Sequence, residues 1–252
     1  MSQHQVVDRL YIQDVTLRDG NQSIAATRMT RPQALQVLKL ISDAGFQTME
    51  LWGGAILDSC VRYLNEDPWE RLETFAQVIG DNRKIMALLR GQNLFAYQPY
   101  PDDLVISFIQ QAAQSGVGLF RVFDALNDER NLSIPMLACK ASGIQIEAAL
   151  SYTVSPVDAT TPPITPLAGG TPPPPVELMQ VFAEEMGLET GLDKGLILEA
   201  QKRLFGIFDE LKSVIPYAGK YYQPVRFEDV DLHTVNEILG LAAQPSETNL
   251  EQ

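Results

Sequence analysis

The first 157 residues alternate short apolar stretches with longer segments in which apolar residues recur at helical spacing. Segments 33–44, 103–114 and 131–141 carry their apolar residues on one broad face, which is typical of amphipathic helices that pack on a sheet. The short apolar stretches between such segments predict five β-strands, at residues 10–17, 47–52, 84–90, 118–123 and 145–152.

The spacing of these strands indicates the fold. They recur about every 35 residues, the length of one βα unit, and they are apolar enough to be covered on both faces. Strands of this kind pair in parallel through right-handed crossovers. The pattern therefore predicts an α/β fold of the (β/α)₈ TIM-barrel type. Five units are visible where a closed barrel needs eight, so we expect the barrel to be incomplete.

The pattern stops after Val157, where a proline-dense segment begins that no strand tolerates. Two helical stretches follow, at roughly 176–187 and 194–214, and then a polar tail. We therefore expect three parts: the βα units in 1–157, a Pro-rich junction in 158–175, and a helical C-terminal extension with its tail in 176–252.

Composition excludes several classes of protein. A net charge of −13 would repel a nucleic-acid backbone over most of the surface. Cys60 and Cys139 lack the spacing of metal or redox motifs, so we expect two reduced, buried thiols. No apolar run reaches the eighteen or so residues that a membrane span needs, and the N-terminus does not read as a signal peptide. We expect a cytoplasmic protein.

Polar and charged side chains follow the predicted strands. Arg18, Asp19 and Gln22 come after the first strand, and Arg90 follows the third. Ligands bind at the carboxyl ends of the strands in parallel α/β folds. The planar fork of an arginine suits a carboxylate, so this edge is expected to bind a small anionic substrate. Taken alone, Asp19 is equally typical of a helix N-cap paired with Arg18.

Several sequence runs together carry a resemblance to a known family. They are DVTLRDGNQS (14–23), MELWGGAILDSCVRYLNEDPWERL (49–72), LLRGQN (88–93), FRVFDALND (120–128), SYTVSPV (151–157), PLAGGT (166–171) and TGLD (190–193). They resemble the carboxyltransferase domain of biotin-dependent enzymes, which include pyruvate carboxylase, the oxaloacetate decarboxylase α-subunit and the transcarboxylase 5S subunit. DVTLRDG also resembles the first strand of HMG-CoA lyase and isopropylmalate synthase, whereas WGGA, DPWERL and SYTVSP favour the biotin group.

The resemblance implies a (β/α)₈ barrel that moves CO₂ between carboxybiotin and pyruvate or oxaloacetate. Biotin would be carried on another domain or chain, a biotin carboxyl carrier, and a homo-oligomer is expected. Arg18 would polarise the carbonyl oxygen of the substrate, and Thr171 would pass a proton between biotin and the pyruvate methyl group. Gln22 and Arg90 would hold the pyruvate, and Asp19 would be a ligand of a divalent Zn, Mn or Co ion.

The chain departs from the family pattern at the metal site. The family has a carboxylated lysine on the sixth strand and an H-x-H pair on the seventh, but here the histidines are His4 and His233. Catalytic metals usually have three protein ligands, so Asp19 alone is not expected to hold one. Three hypotheses stay open: a carboxyltransferase, a catalytically inactive relative that acts as an assembly or regulatory subunit, and an HMG-CoA lyase-like aldolase.

The number of βα units also departs from the family pattern. About two units and part of a third are missing between SYTVSPV and PLAGGT. A five-stranded parallel wall would leave two open edges and an exposed apolar face. A segment absent from this sequence, a second chain over the opening, and closure by the Pro-rich segment with the helices after it are the three explanations that the residues leave open.

Overall fold

The computed structural model describes residues 9–81, 83–96, 98–151, 176, 180, 183–184 and 187–216. The helices in this part of the chain are α1 (Asn21–Ala25), α2 (Arg31–Asp43), α3 (Gly54–Ser59), α4 (Pro68–Ile79), α5 (Asp102–Gln114), α6 (Glu129–Ala141) and α7 (Lys194–Leu211). The strands are β1 (Thr48–Gly53), β2 (Lys84–Leu89), β3 (Val117–Asp124) and β4 (Gln145–Leu150). Shorter turns complete the order: π-helical at Thr16–Gly20 and Cys60–Leu64, and 3₁₀ at Gly91–Asn93.

The four strands form one parallel sheet in the order β1-β2-β3-β4. Met86 on β2 lies opposite Glu50 on one side and Leu119 on the other, and Arg121 on β3 lies opposite Glu147 on β4. Helices connect the consecutive strands, as parallel pairing requires. The α/β fold with an incomplete barrel wall is therefore confirmed.

The first predicted strand, at 10–17, is wrong in extent. Of this stretch, Asp14 alone pairs with the sheet, in a parallel bridge to Met49 of β1. Its amide donates to Thr48 O (3.1 Å), and its carbonyl accepts from Glu50 N (2.7 Å). The amide and the hydroxyl of Thr16 then both donate to the Asp14 carboxylate, at 3.2 and 2.7 Å. These side-chain bonds turn the chain into the Thr16–Gly20 turn and end the pairing.

Capping residues fix where the outer helices begin. Thr30 and Gln33 form a capping box at α2, and the Asp67 carboxylate accepts from the first amides of α4. Helix α7 agrees with the predicted helix at 194–214 and lies against α2. It buries an apolar stripe of Ile197, Ala200, Leu204, Ile207, Phe208 and Leu211.

The contacts divide the chain into two compact units. The larger one holds the sheet and helices α1–α7. In the smaller one, Arg9 forms a parallel bridge with Glu189, and Leu10 N donates to Glu189 O (3.0 Å). The predicted boundaries at 157 and 175 and the polar tail lie outside the described residues, so the three-part division stays a prediction.

Both cysteine thiols are buried and unpaired, as expected. Burial raises the pKa of Cys139 to about 12 and also raises that of Cys60. Within the described residues, no helix combines the length and the apolar character that crossing a membrane requires.

Candidate active site

The site is centred on Arg18, whose side chain is largely buried in the turn that follows the Asp14 bridge. Its Nη1 donates to Asp19 Oδ1 (2.9 Å) and to Gln22 Oε1 (3.3 Å). Its Nε forms an ion pair with Oε1 of Glu50. The structure thus brings together the three neighbouring residues that the sequence predicted, around one guanidinium at the carboxyl edge of the sheet.

Glu50 is the buried residue of the candidate site that the sequence did not predict. It lies on β1 among fully buried apolar residues, and its own side chain is 0% exposed. Burial raises its pKa, and the charges of Arg18 and Arg121 oppose this shift. A carboxylate inside an otherwise apolar strand was the available signal, because glutamate is rarely buried without a charged partner.

Arg121 on β3 is the second cation that contacts Glu50. Its Nη1 donates to Glu50 Oε2 (3.2 Å), its Nε to Glu147 Oε1 (2.8 Å) and its Nη2 to Gln13 Oε1 (2.6 Å). The contact with Glu50 reaches over β2, which lies between β1 and β3. The two arginines and the two glutamates form an alternating row of charges across one face of the sheet.

Asp14 places a further buried carboxyl group at this site. Burial raises its pKa to about 6, although the two hydrogen bonds from Thr16 oppose the shift. The nearby charge of Glu50 raises it as well. The Asp14 carboxyl group therefore gives up its proton at a higher pH than an ordinary aspartate does.

Arg90 directly follows β2, and its side chain is exposed. Its Nη1 donates to Ala96 O (3.4 Å). The turn after it is fixed: Gly91 has a φ of +46°, and a Cβ there would lie 2.6 Å from Asn131 O, so only glycine fits. Asn131 accepts from Gln92 N (2.9 Å), which ties this turn to α6. Arg90 therefore lies at the sheet edge where ligands are expected; its contact with substrate stays a prediction.

The described residues do not provide the set of metal ligands that the family implies. Asp19 is 25% exposed and pairs with Arg18. No group of three or more His, Cys, Asp or Glu side chains that could hold a metal ion occurs in the described part of the chain. His4 and His233 lie outside that part, as does Thr171.

No family model matches the chain. It is 47% identical over 146 residues to one of the pyruvate carboxylase subunits of Methanocaldococcus jannaschii, a match that covers 58% of this chain and 26% of the relative. It is 40% identical over 212 residues to the methylmalonyl-CoA carboxyltransferase 5S subunit of Propionibacterium freudenreichii subsp. shermanii, covering 84% of this chain and 39% of the relative. The chain thus spans between about a quarter and two fifths of these relatives.

The solved structures agree with this result. The carboxyl transferase domain of Rhizobium etli pyruvate carboxylase with pyruvate and biocytin has a TM-score of 0.57 and 39% identity, over 61% of this chain and 26% of that one. This partial coverage fits an incomplete barrel. In sequence and in fold, the chain is thus similar to the carboxyltransferase domains of pyruvate carboxylase and transcarboxylase, which confirms the family resemblance carried by its motifs.

Proposed function

We propose that this chain provides the keto-acid-binding part of a carboxyltransferase, which transfers CO₂ between carboxybiotin and pyruvate or oxaloacetate. The observation that carries the proposal is the guanidinium of Arg18, held by Asp19, Gln22 and Glu50 at the carboxyl edge of the sheet. The related Rhizobium etli domain has been solved with pyruvate and biocytin, which supports this class of ligands.

The chemistry needs a cation in this position. When oxaloacetate gives up CO₂, the electron pair of the broken C–C bond forms an enolate with negative charge on the keto oxygen. A guanidinium that is already oriented stabilises that charge where it develops. We assign this role to Arg18, with Gln22 and Arg90 binding the pyruvate.

The rest of the transfer balances with biotin. The CO₂ forms a bond to a ureido nitrogen of biotin, and the proton displaced from that nitrogen goes to the enolate carbon, which gives pyruvate. Thr171 is proposed as the proton carrier, because a hydroxyl can pass a proton without leaving a buried charge. The biotin would be supplied by a carboxyl carrier domain or subunit.

A second candidate function is a catalytically inactive assembly or regulatory subunit. The observation in its favour is the absence of a metal-binding group in the described part of the chain. The relatives reported above are carboxylases and a carboxyltransferase, so we do not propose the HMG-CoA lyase-like alternative.

Two measurements test the proposal on the full chain. Calorimetry should detect pyruvate binding, which R18Q abolishes and R130Q leaves unchanged, because Arg130 is 91% exposed and pairs with Asp128, the N-cap residue of α6. An oxaloacetate decarboxylation assay with and without free biotin, combined with metal analysis, then measures turnover. Pyruvate binding without turnover favours the inactive relative, and the absence of both binding and turnover contradicts the proposal.

A further inference from the structure

The carboxylate of Glu50 lies between two guanidinium groups. Its Oε1 pairs with Arg18, and its Oε2 accepts from Arg121 Nη1 at 3.2 Å. Because the side chain is 0% exposed, water cannot replace either partner. The orientation of this carboxylate therefore depends on both arginines. Because Arg18 pairs with the carboxylate, the position of the Arg18 guanidinium depends on that orientation.

Arg121 is anchored at three points. Glu147 on β4 accepts from its Nε, Gln13 accepts from its Nη2, and Glu50 accepts from its Nη1. Gln13 Nε2 also donates weakly to Glu147 Oε2 at 3.5 Å, which closes a ring of contacts around the guanidinium. A planar fork held on three sides has a single orientation, so it presents a fixed donor to Glu50.

We propose that Arg121 is a positioning residue: it fixes the carboxylate of Glu50 and, through it, the guanidinium of Arg18 at the keto-acid site. Arg121 itself is not proposed to touch the substrate, because each of its nitrogens already has a protein acceptor. The part of this inference that concerns substrate rests on the proposed function, whereas the effect on Arg18 does not.

The physical reason lies in the buried oxygen that Arg121 satisfies. Without Arg121, Oε2 of Glu50 would be left without a donor in a dry environment, a state that proteins avoid. The carboxylate would rotate to find another donor, and Arg18 would lose its fixed partner. The remaining partners of Arg18 are the partly exposed Asp19 and Gln22 at a longer distance of 3.3 Å, so they hold it less firmly.

Three variants distinguish the positioning of Arg18 by Arg121 from a purely structural role, in which Arg121 only holds β3 to its neighbouring strands. R121Q removes the cation, and R121K restores a positive charge. E147Q removes the charge of the other carboxylate partner but keeps an amide oxygen that can accept from Arg121 Nε, so the anchor and the contact with Glu50 remain. If Arg121 only braced β3 against its neighbours, R121Q and E147Q would behave alike. If it positions Arg18, R121Q has the large effect, R121K recovers part of it, and E147Q has little.

Two readouts are taken on the full chain. The first is pyruvate affinity by calorimetry, which we expect R121Q to weaken about tenfold, the size of one lost charge-assisted hydrogen bond. The second is the ¹⁵N NMR signal of Arg18 Nε, assigned by its loss in R18K. This signal should shift or broaden in R121Q, return part of the way in R121K, and stay in place in E147Q.

The outcomes are distinguishable from failure of the proposed function. If the wild type does not bind pyruvate, the proposed function fails, and the Arg18 signal alone decides the inference. An unchanged Arg18 signal in R121Q overturns the inference whatever the affinity. If R121Q does not fold, the same signal in R121K replaces it: a shift relative to wild type supports positioning, and an unchanged position overturns it. Equal effects of R121Q and E147Q would also overturn it.

Discussion

The two edge strands of the sheet, β1 and β4, differ sharply in how far they are covered, although both are apolar in sequence. On β1, Met49 and Leu51 are fully buried, and the segment at Asp14 covers the edge. On β4, Leu150 is 83% exposed, and no strand in the described part of the chain pairs with its outer edge. The fully buried charge of the candidate site, Glu50, lies on the covered strand β1.

Arg121 pairs with one glutamate on each of the two outer strands of the sheet. Its two ion pairs therefore show how burial changes the energy of such a contact. The Glu50 side chain is 0% exposed and the Glu147 side chain is 38% exposed. An exposed ion pair is weakened by solvent, whereas an ion pair of a buried carboxylate cannot lose a partner without leaving a charge unsolvated. The same arginine therefore has one contact that matters for the site and one that matters little.

The largest effect is expected from E50Q. Removing this buried carboxylate leaves Arg18 and Arg121 without their shared counter-charge, and we expect a loss of about 3–5 kcal/mol in the free energy of unfolding. Urea denaturation measures it. The matched variant E147Q should change the free energy of unfolding by less than about 1 kcal/mol. Equal losses in the two variants would show that the two edges do not differ as described.

A pair of leucines tests the packing of the same two strands. L51A removes a fully buried side chain from β1, which should destabilise the protein by about 2–5 kcal/mol through lost burial and a residual cavity. L150A, at the exposed end of β4, should stay within about 0.5 kcal/mol. Both are measured by urea denaturation. A loss above about 1 kcal/mol in L150A would mean that β4 is covered in solution.

Much of the wall could be predicted from sequence, since four of the predicted strands agree with β1–β4 within one or two residues. Short apolar runs between amphipathic helical segments favour strands, because they are too short for buried helices. The strand at 10–17 could not be predicted correctly, because the bonds from Thr16 to Asp14 are local side-chain chemistry that competes with pairing.

The site was predictable only where its residues adjoin in sequence. Arg18, Asp19 and Gln22 belong to one motif, so their contact follows from the local turn. The contact between Arg121 and Glu50 joins residues 71 positions apart, and periodicity marks both simply as strand residues. Such pairs depend on sheet register, which the hydrophobic pattern does not specify across two strands.

The buried carboxyl group of Asp14, at the covered edge of the sheet, should make the free energy of unfolding depend on pH. We expect this effect to be smaller than that of E50Q. The folded-state pKa of Asp14 is about 6, above its ordinary value of 3.8, so the folded protein binds this proton more tightly than the unfolded chain does. The contribution stabilises the fold below pH 4 and is lost as pH rises through 6, by up to about 3 kcal/mol.

Urea denaturation of wild type and D14N between pH 4 and 7 measures this contribution, because the difference between the two isolates it from other titrations. We expect the gap to change across that range, with wild type losing stability relative to D14N as pH rises. Parallel pH profiles for the two proteins would show that Asp14 is not buried beside Glu50 in the way the structure indicates.

The smallest effect is expected at the open edge itself. An apolar strand with an unpaired edge is a template for association with another chain, and a charge placed there opposes it. L150K should therefore reduce concentration-dependent association, measured by sedimentation velocity, while the free energy of unfolding changes by less than about 0.5 kcal/mol. V214K is the matched control, because Val214 is 73% exposed and follows the end of α7 in sequence. If both variants lower association equally, the effect comes from net charge and the edge of β4 is not where the chains meet.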